Sequence, residues 1–207
     1  MAKRVIVTIG REFGSGGREI GKALADSLGV EFYDKELLEV AAKESGISRD
    51  LFESNDEKPV SSLLYSMSVN PYSMGNLMGV DHVPINQKLF LAQFDAIRKI
   101  VRERDCVIVG RCADFILRDL DNVLRIYVHA PIDYCIEKTI ELHPDFDAEE
   151  ARRFIQRTDK GRSDYYRCFT GNDWKNADNY DLCINSAVLG WDKCVSLVKS
   201  YLDIKLS

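Results

Sequence analysis

Residues 5–21 read VIVTIGREFGSGGREIG. The first five are apolar or β-branched, as in a buried strand. Beyond the glycines, Ile20, Leu24 and Leu28 recur at the spacing of one helix face, and Gly29 stands where a helix ends in a left-handed residue. Between strand and helix lie Gly14, Ser15, Gly16 and Gly17, three glycines in four positions and more than a turn requires. A phosphate held by main chain needs several N–H groups converging with no Cβ in the way, and the next helix adds its N-terminal dipole. The stretch therefore reads as a phosphate loop between a first strand and a first helix.

Such loops usually run G-x-x-x-x-G-K-[ST], and the lysine is missing here. With Gly14-Ser15-Gly16 at the loop's end, Arg11 takes the first glycine's place and Gly17 the lysine's. With Arg18 in the lysine's place, Glu12 and Glu19 fall where a glycine and a hydroxyl belong. Arg11, Arg18 or both are the candidates to replace the lysine, because a guanidinium grips phosphate oxygens bidentately. A dinucleotide-binding G-x-G-x-x-G fails at Glu19.

The rest of the chain repeats the strand-then-helix theme. Strands are expected at 106–109, 124–128 and 181–184, with 31–34 a weaker one, and helical patterns lie between them. In 84–103 the apolar stripe is Leu89, Phe94, Ile97 and Val101; in 191–203 it is Trp191, Cys194, Leu197 and Leu202. Asp147 with Glu150 three residues later has the form of a capping box. The alternation predicts an α/β fold, a central parallel sheet covered by helices on both faces. One domain of 207 residues is expected, with an insertion over 54–84 where periodicity lapses and a lid over 147–178.

Bulk properties narrow the function. The chain is 45% hydrophobic, enough for a buried core, and its formal net charge of −5 argues against a nucleic-acid polymer as partner. An anionic ligand then needs a local basic site. Six cysteines without a C-x-x-C pair read as reduced thiols of a cytoplasmic protein. No apolar run approaches the roughly 20 residues of a membrane span, and VIVTI is too short for a signal peptide.

Ligand residues in a parallel sheet lie just past the carboxyl ends of strands. GRCAD (110–114) is placed there, offering Arg111 for a phosphate and Asp114 for an amino or hydroxyl donor. Asp34 either orients an acceptor or N-caps the next helix. Arg153, Arg157 and Lys160 share a helix face, followed by Arg162; they form a solvated surface or a basic lid over a transferring phosphoryl group. Tyr165, Tyr166, Phe169 and Trp174 are expected to pack that lid against the body.

Taken in order, IGREFGSGGREIG, YDKELLEVAAKESGIS, VIVGRCADFIL, LRIYVHAPIDYCIEK and RTDKGRSDYY…NADNYDLCINS resemble the cytidylate kinase-like family, a divergent branch of the P-loop nucleoside monophosphate kinases. The resemblance spans about residues 4 to 202. It implies a P-loop kinase fold, a three-layer sandwich with a monophosphate-binding insertion and a lid. It also implies ATP with Mg2+ and small nucleotide substrates, with CMP or dCMP the expected acceptor. Gly14, Ser15, Gly16 and Gly17 match the phosphate loop, which with Arg11 and Arg18 would bind the donor. Arg111 matches the arginine that holds the acceptor; the aspartate that follows it in the family has Cys112 in its place here, and Asp114 stands two places on, so that Arg111, Asp114 and, from its place after a strand, Asp34 are the expected acceptor residues. Arg157, Asp159 and Arg162 match the lid's R-x-D-x-x-R, so Arg18, Arg157 and Arg162 are the expected catalytic cations. Residues 181–186 resemble the last strand and the loop after it, beside the donor. The chain departs from ordinary cytidylate kinases at the loop lysine and at the hydroxyl for Mg2+.

Overall fold

A computed structural model describes residues 4–57 and 84–206. The apolar runs become five strands: β1 (Ile6–Arg11), β2 (Glu31–Tyr33), β3 (Cys106–Val109), β4 (Val123–His129) and β5 (Leu182–Asn185). They form one parallel sheet in the order β2-β3-β1-β4-β5. β1 lies central, with Ile6 opposite Cys106 of β3 and Val123 of β4. All six of its residues are buried, which a strand covered on both faces requires.

Helices supply the crossovers. They are α1 (Gly17–Leu28), α2 (Glu36–Ser45), α3 (Arg49–Asn55), α4 (Ile85–Glu103), α5 (Ala113–Ile116), α6 (Ile132–Leu142), α7 (Ala148–Thr170), α8 (Ser186–Leu189) and α9 (Trp191–Leu206), with a 3₁₀ turn at Ala177–Asn179. Strand side chains alternate between faces, and so does the core. Val7, Ile9, Val107, Val109, Leu124 and Ile126 pack with Ile20 and Leu24 of α1 and Val198 of α9. Ile6, Cys106, Ile108 and Tyr127 face the other way, with Leu37 of α2, Ile97 of α4 and Tyr165 and Tyr166 of α7. Each aliphatic side chain buried in this way contributes about 1.5–3 kcal/mol.

Several local expectations hold. Gly29 is left-handed at φ 67° and ends α1. The Asp147 carboxylate accepts from the Glu150 N–H at 2.7 Å, and the Glu150 carboxylate from the Asp147 N–H at 2.9 Å. None of the six cysteines is joined in a disulfide. Tyr165, Tyr166 and Trp174 are in the core, and Phe169 stacks on Phe90 at 4.1 Å. One stripe needs correcting: Leu197 of α9 is 39% exposed, and Val198 is buried instead, because Cys194, Val198 and Leu202 repeat at four-residue intervals. Of the insertion expected over 54–84, residues 58–83 lie outside the described residues. Among the described residues no helix is long and apolar enough to cross a membrane.

Candidate functional site

The sheet order reverses at β1, since β3 lies on one side and β4 on the other. A doubly wound sheet opens a crevice at such a switch point, outside the carboxyl ends of its strands. A cavity of about 480 Å³ is found there, lined by Gly14, Gly16, Gly17, Arg11, Arg18 and Arg162 among others. That volume is in the range of ligand pockets.

The loop needs its glycines for separate reasons. Gly14 and Gly16 both have φ of 78°, the left-handed region that strains any L side chain. A Cβ on Gly14 would also lie 2.6 Å from the Cys135 carbonyl oxygen. At Gly16 it would meet the Trp191 indole nitrogen, and at Gly17 the Arg11 Cβ. The first amides of α1, at the cavity wall, have no partner inside the helix. Ser15 turns inward and donates to the Glu12 carbonyl at 2.8 Å, bracing the loop. Ser186, just after β5, donates to the Ser15 carbonyl at 2.6 Å and ties the last strand to the loop.

Arg11 leaves the end of β1 and is buried. It donates to both carboxylate oxygens of Glu57, Nη1 at 2.8 Å and Nη2 at 3.2 Å. Burial opposes the Arg11 charge, but Glu57 more than offsets it and the pKa is raised. Burial likewise opposes ionised Glu57, yet Arg11 and Arg162 hold its carboxyl well below the usual range.

Arg111 is more deeply placed, its side chain 1% exposed. Nε and Nη2 grip the Asp56 carboxylate at 3.1 and 2.8 Å, and Nη1 donates to Asp34 Oδ1 at 3.0 Å and to the Val109 carbonyl at 3.0 Å. Gly110, Arg111 and Cys112 have φ of 73°, 55° and 56°. Two consecutive non-glycine residues in that region cost about 1–2 kcal/mol each, and this concentration of strain is bonded to two residues of the cavity wall, Asp34 and Asp56.

Asp34 does not cap α2; its carboxylate bridges Arg111 and Arg18, whose Nε donates to Oδ2 at 2.7 Å. Burial would raise the Asp34 pKa, but Arg111 and Arg18 together lower it. Arg18 is half-exposed at the cavity wall. Arg162, 15% exposed, turns from α7 to donate to Glu57 at 3.1 Å and to the Arg11 carbonyl at 3.3 Å. Burial, then the nearby Arg11, lower its pKa.

Four expected residues do not line this cavity: Ser15 and Arg111, both buried behind its wall, and Arg157 and Asp114, which lie away from it. Arg157 is exposed and rests over the Phe154 ring at 5.8 Å. Five residues along a helix turn it about 140° from Arg162, so the two cannot face one crevice. Arg153 and Lys160 pair with Glu149 and Asp164 on the solvated side. Asp114 is buried and accepts from the Tyr166 hydroxyl at 2.5 Å, at the edge of a different depression. The left-handed turn before α5 aims it away from the loop.

Four contributors went unread in the sequence. Asp56 and Glu57 follow α3 in a polar run with no periodicity. Lys138 and Trp191 both line the cavity, although their spacing marks only helix faces. Trp191 Nε1 is buried without a hydrogen-bond partner, a spare donor beside the loop.

Asp159 links α7 to the loop by accepting from the Phe13 N–H at 2.8 Å. Burial pushes its pKa up to about 6, and neither that bond nor Arg162 at 3.7 Å offsets it. An unfolded Asp titrates near about 3.9. The folded protein therefore holds this proton more tightly, and stability is lost as pH rises from about 4 through about 6. Asp159→Asn keeps the acceptor oxygen and never ionises. It is expected to gain on the parent by on the order of 1–3 kcal/mol between pH 4 and pH 8, measured by urea unfolding. An equal pH dependence in both proteins would show that Asp159 titrates normally.

The parallel sheet with the glycine loop at its switch point is the P-loop kinase fold. A shikimate kinase from Bacteroides thetaiotaomicron has this fold, with a TM-score of 0.55 at 13% identity, covering 97% of this chain and 99% of that one. The cytidylate kinase-like family is matched over residues 6–188, and the chain belongs to it. A cytidylate kinase from Methanopyrus kandleri is 26% identical over 96% of this chain and 93% of its own length. A solved structure of an uncharacterized protein from Eubacterium ventriosum is similar with a TM-score of 0.70 at 26% identity, over 97% of this chain and 99% of that one. Family and fold together support a kinase of nucleotides or small molecules.

Proposed function

We propose that this protein transfers the γ-phosphoryl group of ATP to a nucleoside monophosphate, with CMP or dCMP as the acceptor. The observation that carries this is one cavity in which Gly14, Gly16 and Gly17 face Arg11, Arg18 and Arg162. A polyphosphate suits that wall, which carries no side chain at Gly14, Gly16 and Gly17 and offers the first amides of α1, unpaired within the helix. ATP supplies the transferred group. The chain's part is positioning and charge compensation, since phosphoryl transfer asks little covalent chemistry of the protein.

In this reading the loop amides hold the donor phosphates. Arg18 assists them: Asp34 is bonded to its Nε, and four further N–H groups remain on its two Nη atoms. Arg111, oriented by Asp34, holds the acceptor, and Arg162 neutralises charge at the transferring group. Arg157 and Asp114 would join only through movement of α7 and of the turn before α5. The described residues do not build a dedicated Mg2+ site. Among the described residues no three metal-ligating side chains gather, and the carboxylates at the cavity wall include Asp34, Asp56 and Glu57, each gripped by arginine. In this reading Mg2+ arrives on the nucleotide. Free thiols support a cytoplasmic location for such an enzyme.

A second reading has its own support. Gly17 has no space for a lysine, so the loop could hold a nucleotide without turnover, as a sensor. A coupled ADP-release assay across nucleoside monophosphates and non-nucleotide acceptors separates the readings. Turnover on CMP or dCMP is the expected result. ATP binding without any turnover would favour the sensor, and turnover on a non-nucleotide alone would remove the nucleotide acceptor. Arg18→Ala is expected to lower turnover at least tenfold, about 1.4 kcal/mol of transition-state stabilisation. An unchanged rate would show that Arg18 does not replace the lysine.

A further inference from the structure

Glu57 sits where an anion would be bound. Its two oxygens accept from Arg11 Nη1 and Nη2, from Arg162 Nε and, at 3.4 Å, from the main-chain N–H of Arg111. Asp56 beside it takes both Nε and Nη2 of Arg111. Bidentate guanidinium, a second guanidinium and a main-chain amide form the donor set that recognises phosphate. These donors come from three separate elements, the end of β1, the turn after β3 and α7.

The two carboxylates that fill the set lie outside the helices, since α3 ends at Asn55. Glu57 is held at φ 50°, a left-handed conformation that strains an L residue. Both line the cavity beside Gly14 and Gly16.

We infer that Arg11, Arg111 and Arg162 form a phosphate-binding subsite, and that Asp56 and Glu57 are its displaceable internal ligands in the free protein. The charges permit the exchange. A phosphate monoester carries close to two negative charges at pH 7, and two carboxylates carry the same. Asp34 stays on Arg18 and Arg111 throughout. Without substrate the acidic pair keeps buried guanidiniums from standing uncompensated, a state that would cost several kcal/mol. With substrate the pair competes, so apparent affinity is lower than the bare subsite would give. The inference rests on the phosphotransferase reading for the source of the phosphate, but binding can be measured without turnover.

The probe is inorganic phosphate, titrated calorimetrically at pH 8 into the parent, Glu57→Gln and Asp56→Asn, with no nucleotide present. Glu57→Gln is expected to bind phosphate at least tenfold more tightly than the parent. Phosphate is also expected to raise its melting temperature more than the parent's. A folded Glu57→Gln protein that binds phosphate no better overturns the inference and makes the pair a fixed structural bridge. If that variant does not fold, Asp56→Asn decides by the same two outcomes. Turnover on nucleoside monophosphates without any gain in phosphate binding overturns the exchange and spares the kinase. A gain in binding without turnover supports the exchange and counts against the kinase.

Discussion

Arg111→Met is expected to cost the fold about 3–5 kcal/mol at neutral pH. Methionine fills much of the same space, so the loss is one of charge and hydrogen bonding. Asp34 and Asp56 are both buried against this guanidinium, and without it neither has enough compensation. For a chain of this size that loss corresponds to a fall in melting temperature of roughly 6–20 °C. The pH dependence tests the cause. In the parent, the Asp34 pKa is lowered, so its pairing stabilises above about pH 4 and is lost as pH falls. In the variant Asp34 loses its largest attractive partner, and protonation then relieves rather than removes stability. The gap between parent and variant should therefore narrow from pH 7 to pH 4. A gap that stays constant would point to packing, and no gap at pH 7 would show that the buried network contributes nothing net. Arg111→Lys should recover only part of the loss, because an ammonium cannot grip Asp56 bidentately. The left-handed turn at Arg111 and Cys112 is held in place by this same network, so its loss would also free the loop after β3.

The fold was legible because strands buried on both faces must be continuously apolar. VIVTI and CVIV have no other plausible home than the middle of a parallel sheet, and the glycines between VIVTI and α1 fixed the switch point. Part of the site was legible for the same reason: Arg111 and Asp34 follow strand ends, where side chains are forced into the crevice. Arg162 needed more than spacing. Its helix carries several cations, and only the packing of Tyr165 and Tyr166 into the core decides which of them turns inward. That is why Arg157, the better-looking partner in R-x-D-x-x-R, stays in solvent. Asp56 and Glu57 were illegible because charge pairing across 46 and 55 residues leaves no periodic trace. Trp191 was hidden by its helix: an aromatic at the start of an amphipathic stripe reads as core, and its unpaired N–H against Gly16 exists only in three dimensions.

Gly17→Lys, which restores the missing residue of the loop, is expected to damage the protein instead of activating it. α1 begins at Gly17, so the first alignment of the loop places the lysine there. Yet a Cβ at Gly17 would collide with the Arg11 Cβ, with the Val128 Cβ at 3.2 Å behind it. These are a strand's backbone-anchored atoms, not the flexible end of a side chain. Overpacking of that kind costs about 1–3 kcal/mol. Displacing Arg11 would further strip Glu57 of its bidentate partner, and breaking a buried pair adds about 3–5 kcal/mol. A large fall in melting temperature, with no gain in ADP release, is the expected outcome. The double variant Gly17→Lys with Arg11→Gly is the informative control, since it removes the obstructing side chain and gives both loop positions their usual residues. A double variant as stable as Arg11→Gly alone, in which Glu57 has lost the same partner, would show that Arg11 and the absent lysine exclude each other sterically. A stable, more active single variant would sink that account. The loop would then have lost its lysine without any structural reason, and Arg11 would be no substitute for it.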